Sequence, residues 1–556
     1  MTNSPVSEFL AFEAEVDACL ETISVTAAPL RAILAHYHFL IFYFLHFEGA
    51  VDPSSRRSAE TTTYRLSYLL DWLANRPLSR ESIGAAHASK LLRDTDPQAL
   101  GVITLDAYAH FSEVVPEVRR GRLEVRRIKR GFELKHPTSL ARNEATDIIV
   151  SELAIGHIAS RKPQSFSPAM RNLAQSLPVD WGDVRPEAAG RLVKYAANVR
   201  EDPVISEEAM MKVFGFTASR FGQIRSATYA LAEVYQELAL LSYMATADDH
   251  GDPSDEMMNL ASLSWPESEL VDRLALLAGG DRDEIASFID TFCFDPLASK
   301  RRGGEGYTPP FVRIGTHICF SPDLILRFIQ PRNAIQDLMK LDRKRFDSLV
   351  SHTLEPTLIE LVIAEMRRFP NLRIAASTKY AGGEIDLMIV DPASEDVVII
   401  EVKAPLPPQG SRLTERLAQR VREGMDQLRR FQALTEVERL AIVAAGSGAR
   451  LSRATYHYIV LARACMGAVE LWQAGAPIKP ATLPLVRLAT SAIEHRKGNV
   501  AAELATEVQR QKEQLLKEAK WSWSSGKMSL LGRTIFTPQL RYDEKVVERW
   551  RKKAAQ

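Results

Sequence analysis

The stretch from Gly382 to Lys403, GGEIDLMIVDPASEDVVIIEVK, constrains the fold of this chain more strongly than any other. Two apolar runs, Glu384 to Val390 and Val397 to Lys403, flank the segment DPASED, in which Pro392 and the acidic residues favour a turn. Each run carries apolar side chains on both of its alternating faces. The pattern predicts a hairpin whose two strands are covered above and below.

Three charged residues, Asp386, Glu401 and Lys403, lie within or at the end of these apolar runs. A carboxylate buried in such a sheet is costly unless it has a partner, and Glu401 and Lys403 share a face because they are two residues apart. Two carboxylates beside a lysine on a rigid sheet edge suit a hard divalent cation and an attacking water. The alternative interpretation is an ion pair at the end of a strand.

The length of 556 residues predicts about three or four domains. Lys plus Arg and Asp plus Glu each total 70, so any nucleic-acid surface has to be local. The absence of any CxxC pair argues against a zinc ribbon and a disulfide framework, and we expect a reducing, cytoplasmic compartment. The four cysteines are Cys19, Cys293, Cys319 and Cys465.

The N-terminal residues do not combine a basic region with an apolar core, so we expect no secretory signal. The most membrane-like segment, Ala32 to Phe47, contains His36, His38 and His46 and is shorter than the roughly 20 apolar residues that a span requires. It predicts a buried helix, and we expect no membrane partner. His36 and His38 do not share a helix face, which disfavours a metal site.

Residues 1–300 predict a mainly helical region, and 301–339 predict a linker followed by a hairpin lead-in. The basic segment Val118 to His136 departs from the helical pattern. Two interpretations of it stay open, a phosphate-binding ribbon and a solvated charged hairpin. Its candidate nucleic-acid contacts are Arg126, Arg127 and Arg130.

Residues 340–470 predict a helix starting near Glu355, a strand at Leu372 to Ser377, the hairpin, and a periodic helix from about Arg412 to Leu434. Two later apolar runs, Arg439 to Ala445 and Tyr456 to Ala462, predict further strands, and residues 471–556 predict a helical extension and tail. The polar face of the periodic helix presents candidate phosphate contacts, which are Arg416, Arg420, Arg429 and Arg430.

Within residues 340–470, three features in this order resemble the PD-(D/E)XK nuclease superfamily, which has the restriction-endonuclease-like fold. They are Glu355, then Asp386 inside GEIDLMIV, then the tripeptide Glu401-Val402-Lys403. The downstream segment DQLRRF is similar to a glutamine motif of many members. The resemblance implies an α/β core with a mixed central sheet, and the whole chain is therefore expected to be a multi-domain α+β protein.

The resemblance also implies roles for individual residues. Asp386, Glu401 and the backbone carbonyl of Val402 would bind one or two Mg2+ ions, for which Mn2+ is expected to substitute. Lys403 would orient or activate the attacking water. Glu355 would complete the metal shell, with Glu360 on the same predicted helix as the alternative, and Gln427 would brace the site.

The first functional hypothesis is an Mg2+-dependent DNA endonuclease in which residues 1–300 serve sensing, targeting or assembly, an architecture similar to bacterial anti-phage defence proteins. The second is a catalytically silent module that keeps the fold and binds nucleic acid. The third treats residues 1–300 as a scaffold for a protein partner. RNA stays open as a substrate, and a homo-oligomer would suit double-strand cutting because one site cuts one strand.

Overall fold

The computed structural model of this chain describes residues 4–20, 23, 28–48, 53–74, 84–95, 100–155, 166–197, 207–246, 254–298, 308–404, 411–473, 476–494 and 499–555. The protein is a mixed α+β molecule with two compact units. The unit that contains the hairpin carboxylates, named here the carboxylate unit, comprises Met1–Phe9, Val114–Ala159 and Asp347–Gln556. The helix-rich unit comprises Leu10–Glu113 and Ser160–Phe346.

The strands of the described residues are numbered in chain order. They are β1 Glu124–Ile128, β2 Gly131–Lys135, β3 Leu263–Pro266, β4 Cys293–Phe294, β5 Phe311–Ile314, β6 His317–Phe320, β7 Arg373–Tyr380, β8 Gly383–Asp391, β9 Asp396–Lys403, β10 Thr455–Ala462, β11 Ile478–Thr482, β12 Ser522–Leu530 and β13 Arg533–Arg541.

The α-helices in the described ranges include long helices of both units and several short connecting helices. They are Pro5–Leu20, Leu30–Tyr43, Pro53–Leu73, Ala85–Thr95, Leu100–Arg119, Thr138–Ile155, Pro168–Gln175, Trp181–Ala197, Glu207–Phe214, Ala218–Thr246, Asp255–Ala261, Glu267–Ala278, Arg282–Thr291, Pro322–Phe328, Pro331–Leu341, Arg343–Leu349, Glu355–Met366, Ser411–Gln432, Glu436–Ser447, Leu483–Glu494, Val500–Ala519 and Glu544–Ala554.

A five-stranded mixed sheet in the order β11-β10-β9-β8-β7 forms the centre of the carboxylate unit. The predicted hairpin is confirmed, since β8 and β9 are antiparallel, and β9 then runs parallel to β10. Every residue of β9 except Lys403 is buried, as expected for a strand that is covered on both faces. This sheet holds Asp386, Glu401 and Lys403 in fixed positions.

Three helices pack around this sheet. The Glu355 helix is Glu355–Met366, the arginine helix is Ser411–Gln432 and the capping-box helix is Glu436–Ser447. The arginine helix confirms the predicted periodic helix, and it buries its apolar stripe because apolar residues recur every three or four positions. The buried residues of the stripe are Leu417, Val421, Met425, Leu428 and Phe431.

One predicted strand is wrong. The run from Arg439 to Ala445 lies in the capping-box helix. The Thr435 hydroxyl accepts from the backbone N–H of Glu438, and the Glu438 carboxylate accepts from the backbone N–H of Thr435, which satisfies two N–H groups at the helix start. Gly448, with a left-handed φ of 70°, ends the helix.

The basic hairpin β1-β2 belongs to a second sheet, in the order β1-β2-β13-β12. Its strand β2 runs parallel to β13 near the C-terminus, with Gly131 opposite Thr534. A Cβ on Gly131 would meet the Thr534 carbonyl oxygen at 1.9 Å, so the two strands approach closely because residue 131 is glycine. The hairpin is therefore anchored, and it leaves Arg126 and Arg127 exposed.

The helix-rich unit buries the helix Leu30–Tyr43 in its core. Ile33, Tyr37 and Ile41 pack there with residues such as Leu69 and Leu105. The membrane-like segment is therefore a buried helix as predicted, and a single such aliphatic side chain contributes about 1.5–3 kcal/mol on burial. None of the helices in the described ranges is long and apolar enough to cross a membrane.

The two units do not follow the linear order of the predicted domains. Residues 114–159, within the predicted 1–300 region, belong to the carboxylate unit, as do residues 471–556 beyond the predicted core. The predicted lead-in hairpin exists as β5 and β6 in the helix-rich unit. The linker part of 301–339 lies outside the described residues as far as residue 307.

Candidate active site

Strands β8 and β9 of the five-stranded sheet separate from each other next to Asp386. The pairing of β8 with β9 ends at Leu387 and Ile400, whereas β9 continues along β10 as far as Lys403. The strands thus form a fork. At its base, Oδ2 of Asp386 accepts a hydrogen bond from the backbone N–H of Val402 at 2.7 Å. The carboxylate thereby replaces the strand partner that this N–H group would otherwise lack.

Glu401 and Lys403 project from the same face of β9, as their spacing predicted. Nζ of Lys403 lies 2.6 Å from Oε1 of Glu401, and the two side chains are 13% and 2% exposed. Burial opposes the charge on Lys403, yet Glu401, Asp386 and Glu355 together raise the pKa of its ammonium group above the usual value. A positive charge is therefore held against the carboxylates.

The carboxyl groups of Asp386 and Glu401 are close enough to influence each other's pKa. Burial raises the pKa of Glu401 to about 8; Lys403 opposes this rise and the charge of Asp386 adds to it. Burial also raises the pKa of Asp386. Two neighbouring carboxyl groups that are shielded from water repel each other when both are ionised, so the pair favours a proton or a cation between them.

Glu355, rather than Glu360, faces this pair. Glu355 is half-buried at the start of its helix, lies near the backbone of Ala404, and interacts electrostatically with Lys403 and Asp386. Burial raises its pKa. Glu360 is exposed. Of the two alternatives, Glu355 is therefore the carboxylate that lies beside the pair. Its role in metal binding stays a prediction.

The sequence did not indicate Gly424, which lets the arginine helix approach the site. A Cβ at this position would meet Cγ of Glu401 at 3.0 Å and Cε of Lys403 at 3.1 Å. Glycine inside a helix costs stability, so its presence here is explained by the close approach. A glycine at a buried position of a strongly periodic helix is the sequence signal that could have predicted this close approach.

The predicted bracing residue Gln427 lies one turn beyond Gly424 and is half-buried. Its side chain is not hydrogen-bonded to Glu355, Asp386, Glu401 or Lys403 in the described part of the chain. The structure therefore brings four of the five predicted catalytic residues together and leaves Gln427 beside them.

Tyr380, at the end of β7, is a further residue that the sequence did not indicate. Burial raises its pKa, with Arg430 opposing and Glu401 adding to the rise, so its hydroxyl lies within electrostatic reach of the site. Its ring packs edge-on against Phe431 at 5.9 Å between centroids. Tyr380 pairs with Gly383 across the turn between β7 and β8.

The candidate phosphate contacts differ in their position relative to the site. The charge of Arg420 acts on Glu355, and its guanidinium group also lies 3.4 Å from Asp347. Arg429 pairs with Asp426 at 2.8 Å, and Arg430 and Arg416 are exposed on the same helix. On the basic hairpin, Arg126, Arg127 and Arg130 are exposed.

The residues present fit a divalent cation by their chemistry. Asp386 and Glu401 are neighbouring carboxylates, with Glu355 within electrostatic reach of Asp386, and hard cations prefer such oxygen ligands. Within the described ranges, no set of three ligating side chains has already converged on one point. In this arrangement the ammonium group of Lys403 donates a hydrogen bond to Oε1 of Glu401, so this oxygen already has a partner.

No protein-family model, curated protein or solved structure matches this chain.

Proposed function

We propose that this chain is an Mg2+-dependent endonuclease that hydrolyses phosphodiester bonds of DNA. The observation that carries the proposal is the placement of Asp386 and Glu401 side by side at the fork of β8 and β9, with Asp386 bonded to the Val402 N–H at 2.7 Å and Lys403 bonded to Glu401 at 2.6 Å. Carboxylates shielded from water beside a half-buried ammonium group, on a rigid sheet, are the groups that metal-assisted phosphate hydrolysis needs.

The element order supports the resemblance to the PD-(D/E)XK superfamily. The Glu355 helix precedes β7, β8 and β9, the arginine helix follows, and β10 then runs parallel to β9. Glu401 and Lys403 lie at the end of β9, and Asp386 lies beside them on β8. If the short motif had occurred by chance, this order of a helix, three strands and a second helix around it would not be expected.

Each residue of the site has a proposed role. Asp386 and Glu401, with the backbone carbonyl of Val402, hold the metal ion, and Glu355 completes its shell or holds a metal-bound water. Lys403 orients the attacking water and offsets negative charge that develops on the phosphate. When bound, Mg2+ supplies a Lewis acid and lowers the pKa of a bound water. Gln427 is positioned to brace the site or contact phosphate.

The surrounding cations suit a DNA backbone. Arg420 reaches the carboxylates electrostatically, and a phosphate bound there would be close to the metal ligands. Arg126, Arg127 and Arg130 on the basic hairpin form a second group of exposed positive charges. Charge neutralisation of this kind supplies affinity without sequence specificity.

We further propose that the helix-rich unit senses a signal, targets the nuclease or assembles it, and that the protein acts in anti-phage defence in the cytoplasm. A protein partner of this unit and a homo-oligomer belong to the same proposal. Its support is the presence of a large unit that contributes none of the proposed site residues.

The test compares the wild type with Lys403→Ala and Asp386→Ala on plasmid DNA, linear DNA and RNA, with Mg2+ or Mn2+ and with a chelator. The exposed Lys517, on another helix of the same unit, provides the matched control Lys517→Ala. Cleavage by the wild type and the control, and its loss in both site variants, supports the proposal. Equal cleavage by all four proteins would overturn the assignment of these residues.

The second candidate function is a catalytically silent module that binds nucleic acid. The observation that favours it is the exposure of the basic hairpin, where the side chains of Arg126 and Arg127 are 78% and 70% exposed. Binding of DNA or RNA without metal, together with no cleavage of any substrate in the same assay, would establish this function instead.

A further inference from the structure

A second irregularity of the sheet lies directly opposite Asp386, on β7. The pairing of β7 with β8 passes from Ala376–Leu387 to Thr378–Ile385 and leaves Ser377 and Asp386 out of the ladder. Because the pairing of β8 with β9 has also ended at Leu387, Asp386 is released from both neighbouring strands. Its backbone is thus less constrained by the sheet than the rest of β8.

The cause of this break is the backbone of Ser377. Its φ is 52°, in the left-handed region that residues with a Cβ rarely adopt. As a result Ala376 and Ser377 are both exposed, although consecutive strand residues normally face opposite sides of a sheet. Such strained residues persist where the surrounding packing holds them, and they cluster at functional sites.

The capping-box helix provides that packing. Gly446 contacts the next strand residue, Thr378, so closely that a Cβ on Gly446 would meet Oγ1 of Thr378 at 2.6 Å. Thr378 is buried, and its pairing with Ile385 restores the ladder immediately after the break. The strand is therefore fixed on one side of Ser377 by the helix and on both sides by β8.

We infer that the left-handed backbone of Ser377 is a positioning device for Asp386, which keeps its carboxylate turned towards Val402 and Glu401 instead of aligned with the β7 ladder. This inference rests on the proposed function, because its consequence is a preformed arrangement of metal-binding oxygens. Ser377 itself contacts neither the metal nor the substrate; it acts through Asp386.

The test uses substitutions that differ in their tolerance of a left-handed backbone. Gly and Asn adopt this conformation readily, whereas the β-branched Val resists it. The variants are Ser377→Gly, Ser377→Asn and Ser377→Val, and Ala376→Val places the same side chain one residue earlier as the control. If Ser377→Val does not fold, Ser377→Thr replaces it. Circular dichroism and thermal unfolding establish that each variant is folded.

The first measurement is the dissociation constant of Mn2+, by calorimetry or electron paramagnetic resonance, in the full-length protein. We expect Ser377→Val to weaken binding about 10-fold to 100-fold, the usual effect of losing a residue that orients a metal ligand. Ser377→Gly, Ser377→Asn and Ala376→Val should bind as the wild type does. Equal affinity of Ser377→Val and the wild type would overturn the inference.

The second measurement is hydrogen exchange of the Val402 amide, whose acceptor is Asp386. We expect this amide to exchange at least several-fold faster in Ser377→Val, with the amides in the intact part of the β8–β9 ladder unchanged. If the Val402 amide exchanges at the same rate in Ser377→Val and in the wild type, the inference is wrong. This measurement needs no metal. A wild type that binds no Mn2+ contradicts the proposed function alone, since the exchange experiment then still decides the role of Ser377.

Discussion

Gly424 of the arginine helix lies against Glu401, and a Cβ at residue 424 would come within 3.0 Å of Cγ of the glutamate. The same Cβ would lie 3.1 Å from Cε of Lys403. The helix thus packs closely against one side of the carboxylate site. A close approach of this kind makes residue 424 sensitive to size, although it carries no chemical group.

We therefore predict a graded effect of size at residue 424. Gly424→Ala gains helix propensity but forces Glu401 or Lys403 to shift by a few tenths of an ångström, so Mn2+ affinity and cleavage should fall while the fold is retained. Gly424→Leu should abolish both. Metal titration and a plasmid cleavage assay, each beside a thermal unfolding curve, measure the effect.

The matched control is Gly190→Ala. Gly190 also lies within a helix, but nothing would be within 4 Å of its Cβ. The substitution should stabilise the helix by up to about 1 kcal/mol and leave cleavage unchanged. Cleavage by Gly424→Leu at the wild-type rate would contradict the close packing of the arginine helix on the site.

The second prediction separates two glutamates of one helix. Glu355→Gln should weaken metal binding and cleavage, because Glu355 interacts electrostatically with Lys403 and Asp386. Glu360→Gln should behave as the wild type, because Glu360 is exposed. Loss of cleavage in Glu360→Gln with full activity in Glu355→Gln would reverse the assignment of the helix carboxylate.

Much of the candidate site could be predicted because its charged residues conflict with their surroundings. Asp386, Glu401 and Lys403 are charges in apolar strands, and the period of two along β9 predicted that Glu401 and Lys403 share a face. The strand hairpin and the arginine helix follow from local periodicity in the same way. Local patterns are sufficient where a single element carries both the apolar face and the charges.

Other features depend on contacts that local sequence does not contain. The pairing of Gly131 with Thr534 joins distant parts of the chain, and the strain at Ser377 arises from packing against the capping-box helix. The predicted strand at Arg439 to Ala445 failed for a different reason. A short apolar run is ambiguous between strand and helix, and the capping box of Thr435 and Glu438 was the local signal that distinguishes them.

The third prediction concerns Arg420 and Arg429, which lie on the same helix. Arg420 interacts with Glu355, so Arg420→Gln should reduce both DNA affinity and cleavage. It should also lower the slope of log affinity against log salt by about 0.9, the value for one phosphate contact. Arg429, paired with Asp426 at 2.8 Å, should matter less. Equal effects of the two substitutions would argue against a phosphate position beside the carboxylates.

The fourth prediction decides between the two interpretations of the basic hairpin. If the hairpin binds phosphate, the triple substitution of Arg126, Arg127 and Arg130 by Ala should weaken DNA binding. The slope of log affinity against log salt should then correspond to up to about three fewer phosphate contacts. If it is a solvated hairpin, binding should be unchanged. The control replaces the exposed cations Arg171, Arg185 and Lys194 of the helix-rich unit by Ala.

The fifth prediction concerns acid stability of the helix-rich unit. Burial lowers the pKa of His38 to about 3, with Arg31 adding to the effect, and Nδ1 of the neutral ring lies 2.7 Å from Oγ of Ser262. An unfolded histidine titrates near 6.5, so the unfolded chain binds more protons than the folded chain between these values. The stability that neutral His38 provides is therefore complete above pH 6.5 and decreases as the pH falls towards 3. At pH 5 the loss of stability amounts to about 2 kcal/mol.

Thermal unfolding of the wild type and His38→Gln at pH 7.5 and pH 5 measures this loss. The substitution should lower the unfolding temperature clearly at pH 7.5 and much less at pH 5, whereas an equal decrease at both values would show that His38 does not stay neutral in the folded unit.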